Sequence, residues 1–219
     1  MMAEINLCAK LPQSRRDIKA RATAKSPEAV AVARQYGLAY FDGPREYGYG
    51  GYRYDGRWIP VAKDMVAHFN LKPGDRVLDI GCAKGFLVKD FMQVCPGLEA
   101  FGLDISEYAL MHCDSAVIGR LHLGSCEKLP FPDSSFAAVI AVNTIHNCDR
   151  DGVIRSLKEI QRLSGGRAYV QVDSYHDEEQ RAIFNDWVLT AKFHGYPQTW
   201  KDAFAEAGYS GDYYWTINV

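Results

Sequence analysis

The stretch Arg76-Val77-Leu78-Asp79-Ile80-Gly81-Cys82-Ala83-Lys84-Gly85-Phe86 limits what this chain can fold into more than any other. It reads as a short buried strand, a glycine turn and the opening of a helix, and strand and helix patterns alternate after it. A strand ending in an acid, followed at once by glycines at 81 and 85, brings bare backbone close to a ligand at the carboxyl edge of a parallel sheet. The turn therefore predicts a cofactor crevice. A dinucleotide site wants Gly-x-Gly-x-x-Gly, so that a pyrophosphate can rest on the helix N-terminus. Here Ala83 stands at the middle glycine of Gly81-Cys82-Ala83-Lys84-Gly85, and that fingerprint is absent. Nineteen residues past Gly85, Phe101-Gly102-Leu103-Asp104-Ile105-Ser106 ends a second strand in Asp104, where dinucleotide folds bind the ribose hydroxyls.

On these residues the chain resembles the class I S-adenosylmethionine (SAM)-dependent methyltransferases, in their type 11-like group. The family's first motif, hydrophobic, hydrophobic, Asp, hydrophobic, Gly, x, Gly, x, Gly, is matched from Val77 to Gly85 except at Ala83. A further match runs from Gly124 through Ser125, Cys126, Glu127 and Leu129-Pro130-Phe131 to Phe136, with Ser125 in place of the family's Asp, Cys126 in place of Ala, and Ala137 where an Asp follows the Phe. The resemblance implies a Rossmann-like α/β fold that binds SAM and releases S-adenosylhomocysteine. It places Asp79, Gly81, Cys82, Ala83 and Gly85 on the methionine side, Asp104 and Ile105 at the ribose, and Ser125, Cys126 and Glu127 around the adenine. The methyl of Ala83 shifts the ligand slightly, and the hydroxyl of Ser125 can accept from the adenine amino group without charge assistance.

The length of 219 residues suits one domain with an appendage, and a hydrophobic fraction of 47% suffices for one sizeable core. With 25 basic against 27 acidic side chains there is no global field to attract a polyanion, so a small-molecule acceptor is favoured and no nucleic acid is expected. The longest apolar run, Phe136 to Val142, is far short of a bilayer span, and the start Met1-Met2-Ala3-Glu4 lacks a signal pattern. A soluble, cytoplasmic monomer or homodimer with no membrane partner is expected. The six cysteines form no Cys-x-x-Cys pair and the histidines show no ligand spacing, so reduced thiols and no metal are expected.

Residues 1–59 read as an arm and a cap, and 60–219 as the Rossmann-like domain. A basic helix is possible from Ser14 to Lys25, and Ser26-Pro27-Glu28 starts a short helix that Gly37 can close. From Tyr40 to Trp58, five tyrosines alternate with glycines without helical spacing. One reading makes this a lid, with tyrosine rings around the sulfonium and Arg57 or Arg53 on the methionine carboxylate. The other makes it a packed Ω-loop or an oligomer contact. The lid reading takes Tyr49 and Arg57 as cofactor contacts and Tyr52 and Tyr54 as substrate contacts. The string Tyr47 to Trp58 is similar to one in a bacterial and archaeal methyltransferase subgroup of largely unassigned substrate.

An amphipathic helix is expected over 60–69, a helix from Phe86 to Val94, a strand over 98–103, and a helix capped by Ser106 running to about Cys113. Strands are expected over 121–124, 136–143 and 167–173, with a helix through Val153 to Leu163 before the last of these. A helix over 177–186 leads to Trp187-Val188-Leu189-Thr190-Ala191-Lys192-Phe193, which fits more helix or a sixth strand. Thr199 caps a helix to Ala207, and Asp212 to Val219 is a last strand. With both late strands the fold is a doubly wound, seven-stranded, mostly parallel sheet with helices on both faces and an N-terminal helical and aromatic cap.

The carboxyl end of the 136–143 strand carries Asn143, Thr144, His146 and Asn147, which a doubly wound sheet sets beside the transferable methyl. Asn143 reads as a cofactor contact and Asn147 as a substrate contact. His146 can take a substrate proton as general base, or be packed below the cofactor. Tyr175 and His176, after the 167–173 strand, are further candidate substrate contacts. The expected reaction is in-line transfer of a methyl group from SAM to O or N of a small hydrophilic metabolite. An RNA methyltransferase, a nicotinamide oxidoreductase and a non-catalytic SAM-binding partner stay open as alternatives.

Overall fold

The computed structural model describes residues 2–12 and 17–217. Ser14 to Arg16 of the possible basic helix, and the last two residues of the last expected strand, lie outside the described residues. The N-terminal part holds α1 (Ile18–Ala24), α2 (Pro27–Ala33) and α3 (Leu38–Phe41). Ser26 caps α2 by accepting from the N–H of Ala29, as its side chain predicts, whereas Gly37 precedes α3 as its N-cap. The sheet and its helices follow as α4 (Ile59–His68), β1 (Arg76–Ile80), α5 (Phe86–Val94), β2 (Glu99–Asp104), α6 (Glu107–Met111), β3 (Leu121–Leu123), β4 (Ala138–Val142), α7 (Arg150–Ser164), β5 (Ala168–Asp173), α8 (Glu178–Trp187), α9 (Pro197–Ala207) and β6 (Asp212–Thr216).

All strand pairs in the sheet are parallel, in the order β3-β2-β1-β4-β5-β6, so the direction of winding reverses between β1 and β4. That reversal opens a crevice at the carboxyl ends of those two strands. Alternate residues of each strand face opposite layers. Leu78, Ile80, Val139 and Val170 pack with Leu157, Ile160 and Phe204 of α7 and α9. Val77, Ala100, Ala138 and Ile140 pack with Val61, Met65 and Phe91 of α4 and α5. Asp79, between Leu78 and Ile80, therefore points into the second layer.

The described sheet has six strands, not the seven expected. The stretch 187–193 supplies no strand: α8 runs to Trp187, and the backbone N–H groups of Lys192 and Phe193 both donate to the carbonyl of His146, at 2.9 and 3.0 Å. Just beyond it Gly195 makes an isolated bridge to Ser174. The outer edge of β6 is instead covered by the amino-terminal segment, where Ile5 donates to Tyr213 and Tyr213 to Ala3. The helix expected to start at Thr199 begins at Pro197, with Thr199 inside its first turn. Among the described residues no helix is long and apolar enough to cross a membrane.

Candidate active site

The glycine turn after β1 is held by contacts that explain its sequence. Gly81 has φ +77°, and a Cβ there would stand 2.1 Å from Oγ1 of Thr144, whose hydroxyl donates to the Ile80 carbonyl at 3.0 Å. Ala83 has φ +49°, a left-handed conformation that a side chain resists. It is held there by Asp104, whose Oδ2 accepts from the Ala83 N–H at 2.7 Å while Oδ1 accepts from the N–H of Ser106 at 2.7 Å. Asp104 thus ties the loop after β1 to the loop after β2. Burial raises its pKa, and the backbone N–H groups of Ser106, Ala83 and Ile105 offset part of that rise.

Gly85 and Cys82 serve packing. A Cβ at Gly85 would meet Val117 at 2.7 Å, and the Cys82 thiol fills the space above Gly102, where a Cβ would lie 2.5 Å from its sulfur. Asp79 is 6% exposed on the layer of α4 and α5. Burial, and after it the charge of Asp104, push its pKa up to about 7.

A cap of aromatic side chains closes over this turn. Tyr52 stacks on Phe86 with ring centroids 4.9 Å apart, and Tyr49 lies 4.5 Å from Tyr52 and 5.8 Å from Phe41. The cap is fastened by a residue of the glycine turn itself. The ammonium of Lys84 donates to both oxygens of Asp42, at 2.9 and 2.7 Å, and to the Tyr52 carbonyl at 3.0 Å. Asp42 also accepts from the hydroxyl of Tyr108 at 2.7 Å and from the N–H of Tyr52 at 3.1 Å. On the other side Ser106, besides capping α6, donates to the Tyr36 carbonyl at 2.5 Å.

Between cap and sheet edge lies a cleft of about 390 Å³. Of the residues expected at a site, Gly81, Ala83, Asp104 and Ile105 line one wall, and Ser125, Cys126 and Glu127 another. Asn143, Asn147 and Tyr49 complete the set of expected residues that it brings together. Asn143, like Ala83, has positive φ, +53°, so strained backbone flanks the cleft on both sides. Oδ1 of Asn147 is buried with no hydrogen-bond partner among the described residues. Glu127 is paired to Arg155 at 2.6 Å, and Ser125 Oγ accepts from the N–H of Glu127 at 3.2 Å. The hydroxyl end of Tyr49 is desolvated and its pKa is raised by that burial.

Several expected residues lie elsewhere. Arg57 is on the surface, with its guanidinium on the carboxylate of Asp55 two residues away at 2.6 Å, so it does not reach the cleft. Tyr52 sits behind Tyr49 against Phe86, and Tyr54 donates to Asp90 at 2.7 Å under the ammonium of Lys89. Tyr175 is buried against Phe184 and Tyr196, and His176 is exposed, its N–H donating to Gln180. His146 is 4% exposed and does not line the cleft. Its Nδ1 accepts from the N–H of Asp173 at 3.2 Å, and burial holds its pKa below the ordinary value. With that lone pair used and the ring outside the cleft's lining, this geometry fits the packed reading of His146 better than the general-base reading.

The cleft also holds residues that the sequence did not single out. Arg34 and Lys192 are exposed at it and have no ion pair among the described residues, and Tyr36 and Cys148 line it, beside Tyr40 of the tyrosine run and Thr144, which was expected near the methyl. Lys84 had a local signal, a lone charge inside an otherwise apolar turn. Arg34 had a weaker one, a basic residue just past a short helix.

Residues 78–170 match the family described as a methyltransferase domain. Over those residues the chain is similar to a methyltransferase domain, and its sheet has the class I methyltransferase fold. The matched segment runs from β1 into β5 and contains the glycine turn, Asp104, the 124–127 segment and Asn143 to Cys148. A demethylmenaquinone methyltransferase of Symbiobacterium thermophilum is 34% identical over 51% of this chain and 48% of its own length. A sterol 24-C-methyltransferase of Gibberella zeae is 29% identical over 58% of this chain and 37% of its own. The chain thus spans about half or less of the length of these curated relatives. Among solved structures, the methyltransferase in a complex with the Trm112 methyltransferase activator of Haloferax volcanii superposes with a TM-score of 0.54 at 23% identity, over 67% of this chain and 66% of its own. That likeness extends the methyltransferase fold beyond the matched segment. Among the described residues no group of three or more His, Cys, Asp or Glu could hold a metal ion.

Proposed function

We propose that the protein transfers the methyl group of SAM to a small molecule held in the 390 Å³ cleft. The observation that carries this reading is Asp104. It ends β2, braces the turn after β1 through Ala83, and keeps lone pairs free toward the cleft for two ribose hydroxyls. Two further features suit the same ligand. Asn147 Oδ1 is a buried acceptor with no donor among the described residues, and the backbones of Ala83 and Asn143 are held in costly conformations on either side of the opening.

In this reading Gly81 and Ala83 meet the methionine end, Asp104 and Ile105 the ribose, and Ser125 to Glu127 the adenine. Asp79 lies beneath, and its charge favours a cationic ligand. The cofactor supplies an electrophilic methyl. The protein's part is then to hold the acceptor in line and exclude water, which can contribute about 7–11 kcal/mol through effective concentration alone. Tyr36, Tyr40 and Tyr49 wall the acceptor side, and Asn147 orients a donor group on it.

The acceptor atom is O or N of a small hydrophilic metabolite, a reading supported by Arg34, Lys192 and Asn147 at the cleft. A second reading, transfer to carbon of an apolar unsaturated acceptor, is favoured by the aromatic wall and by relatives that are quinone and sterol methyltransferases by name. Deuterated-methyl SAM incubated with cell extract separates them: a labelled product whose methyl is lost on ether or amine cleavage favours the first, and a carbon-bound label the second. Calorimetry with S-adenosylhomocysteine tests the cofactor site. Asp104→Ala, and Asp104→Asn as the variant that keeps one acceptor, should weaken binding by at least about tenfold, or 1.4 kcal/mol. An unchanged affinity in chains that still melt cooperatively would remove Asp104 from the site.

A further inference from the structure

Two thiols meet on the wall of the cleft. Cys126 lies in the segment after β3 and Cys148 closes the short helical turn after β4, yet their sulfurs are 3.5 Å apart. Neither is a sealed core residue; both are half-buried and both line the cleft. The hydroxyl of Ser156, on α7, lies 3.2 Å from the Cys126 sulfur and 2.8 Å from the Gly152 carbonyl. Gly152 is what lets the two loops converge. A Cβ there would stand 2.8 Å from Cβ of Cys148 and 3.0 Å from Cδ of Glu127. The other cysteines are dispersed: Cys8, Cys82 and Cys95 are buried and Cys113 is half-buried, and no other sulfur-to-sulfur contact occurs among the described residues.

We propose that Cys126 and Cys148 are a modification site for hydroperoxides, and that the disulfide they form excludes the nucleoside ligand from the cleft. The thiolate of Cys126 attacks one peroxide oxygen, the O–O bond breaks, and the departing oxygen leaves as water or the corresponding alcohol after taking a proton. Cys126 is then a sulfenic acid. The sulfur of Cys148 attacks it, the S–S bond forms as the S–O bond breaks, and the hydroxide released takes the Cys148 proton to become water. Two thiols lose two electrons and the peroxide gains them.

The order of events follows from the surroundings. A hydrogen bond from the Cys148 thiol holds the Cys126 pKa below its usual value against the opposing effect of burial, and the same contact, with burial, pushes the Cys148 thiol up. Cys126 is therefore the sulfur that ionises and reacts first. Bringing the sulfurs from 3.5 Å to a bonded separation of about 2.05 Å draws the segment after β3 toward the turn after β4. Ser125 and Glu127, either side of the moving thiol, shift with it. The coupling to ligand rests on the reading that the adenine lies against residues 125–127; the dithiol chemistry does not.

The test uses the full chain, reduced and free of ligand, treated with hydrogen peroxide. Peptide mapping should find a link between the peptides of Cys126 and Cys148 that dithiothreitol removes. Cys148→Ser should stop at the sulfenic acid, trapped on Cys126 by a 1,3-dione probe, while Cys126→Ser should give no label at position 148. Oxidised wild type should bind S-adenosylhomocysteine at least about tenfold more weakly than reduced, with recovery on reduction. No link between these two residues, or a link that leaves the affinity unchanged, overturns the proposal. Should the reduced chain bind no S-adenosylhomocysteine at all, the cofactor reading fails, and the presence or absence of the mapped link still decides the dithiol.

Discussion

Replacing Asp79 by Asn should make the protein more stable and a poorer cofactor binder. The carboxylate is buried on the side of the sheet that α4 and α5 cover, and no hydrogen bond to it occurs among the described residues. Burial first, and the charge of Asp104 second, raise its pKa from 3.8 to about 7. Between those values the folded state holds a proton that the unfolded chain has released. Stability therefore falls as pH rises through that window, and is lowest above it. A displacement of that size corresponds to about 4 kcal/mol as an upper bound. Water entry and relaxation reduce it, so a gain of about 2 kcal/mol, or roughly 4–8 °C in melting temperature for a chain of this length, is expected for Asp79→Asn near pH 8. The gap should narrow as pH falls below about 7 and close near 4, where the free side chain is also protonated. Thermal melts of both proteins across that range read the effect directly. A variant that melts at or below wild type near pH 8, or a gain independent of pH, would refute the reasoning. SAM binding should move the other way, weakening by about tenfold, because an acid that opposes folding beside a ligand cleft has its use in the bound state.

The clasp between turn and cap predicts that Lys84→Met and Asp42→Asn each loosen residues 42–58, read as faster limited proteolysis there. Their double-mutant cycle in urea should give a coupling of about 1–3 kcal/mol, below that of a fully buried pair because Asp42 is 24% exposed; a coupling near zero would mean the cap is held by its rings alone. Burial raises the Asp42 pKa, but the hydrogen bonds from Lys84, Tyr108 and Tyr52 outweigh it and bring it below the usual range. The clasp should therefore be complete above about pH 4 and be lost as pH falls through the depressed folded value. For His146, burial holds the pKa down, so the unfolded chain takes up a proton first as pH drops below about 6.5, and stability falls with it. His146→Gln should flatten that acid limb and keep turnover in the folded fraction; lost turnover with an unchanged melting profile would return the residue to the chemistry.

What the sequence disclosed and what it hid divide along one physical line. The strand, turn and helix from 76 to 94, the caps at Ser26 and Ser106, and the acid at Asp104 are set by contacts a few residues long or by the period of one element, so their signal is local. Arg57 looked free because its neighbourhood in space was unknown, although its actual partner, Asp55, stood two positions away. Lys84 and Asp42 are 42 positions apart, and nothing in either neighbourhood points to the other. The most instructive case joins two expectations that looked independent. The stretch 187–193 fits helix and strand patterns equally, so it was free to be decided by what it packs against, and it packs against the turn after β4. The N–H groups of Lys192 and Phe193, which a seventh strand would have given to the sheet, go to the carbonyl of His146 instead. The same loop brings Ala191 and His194 against Phe184 of α8 and Tyr175 after β5, with Tyr175 bonded to His194, so the ground on that side of the turn is filled. His146 turns into that filled side, where the N–H of Asp173 meets its ring. The absent strand and the inward histidine are one packing event, and it leaves the cleft side of the turn to Asn143, Thr144, Asn147 and Cys148.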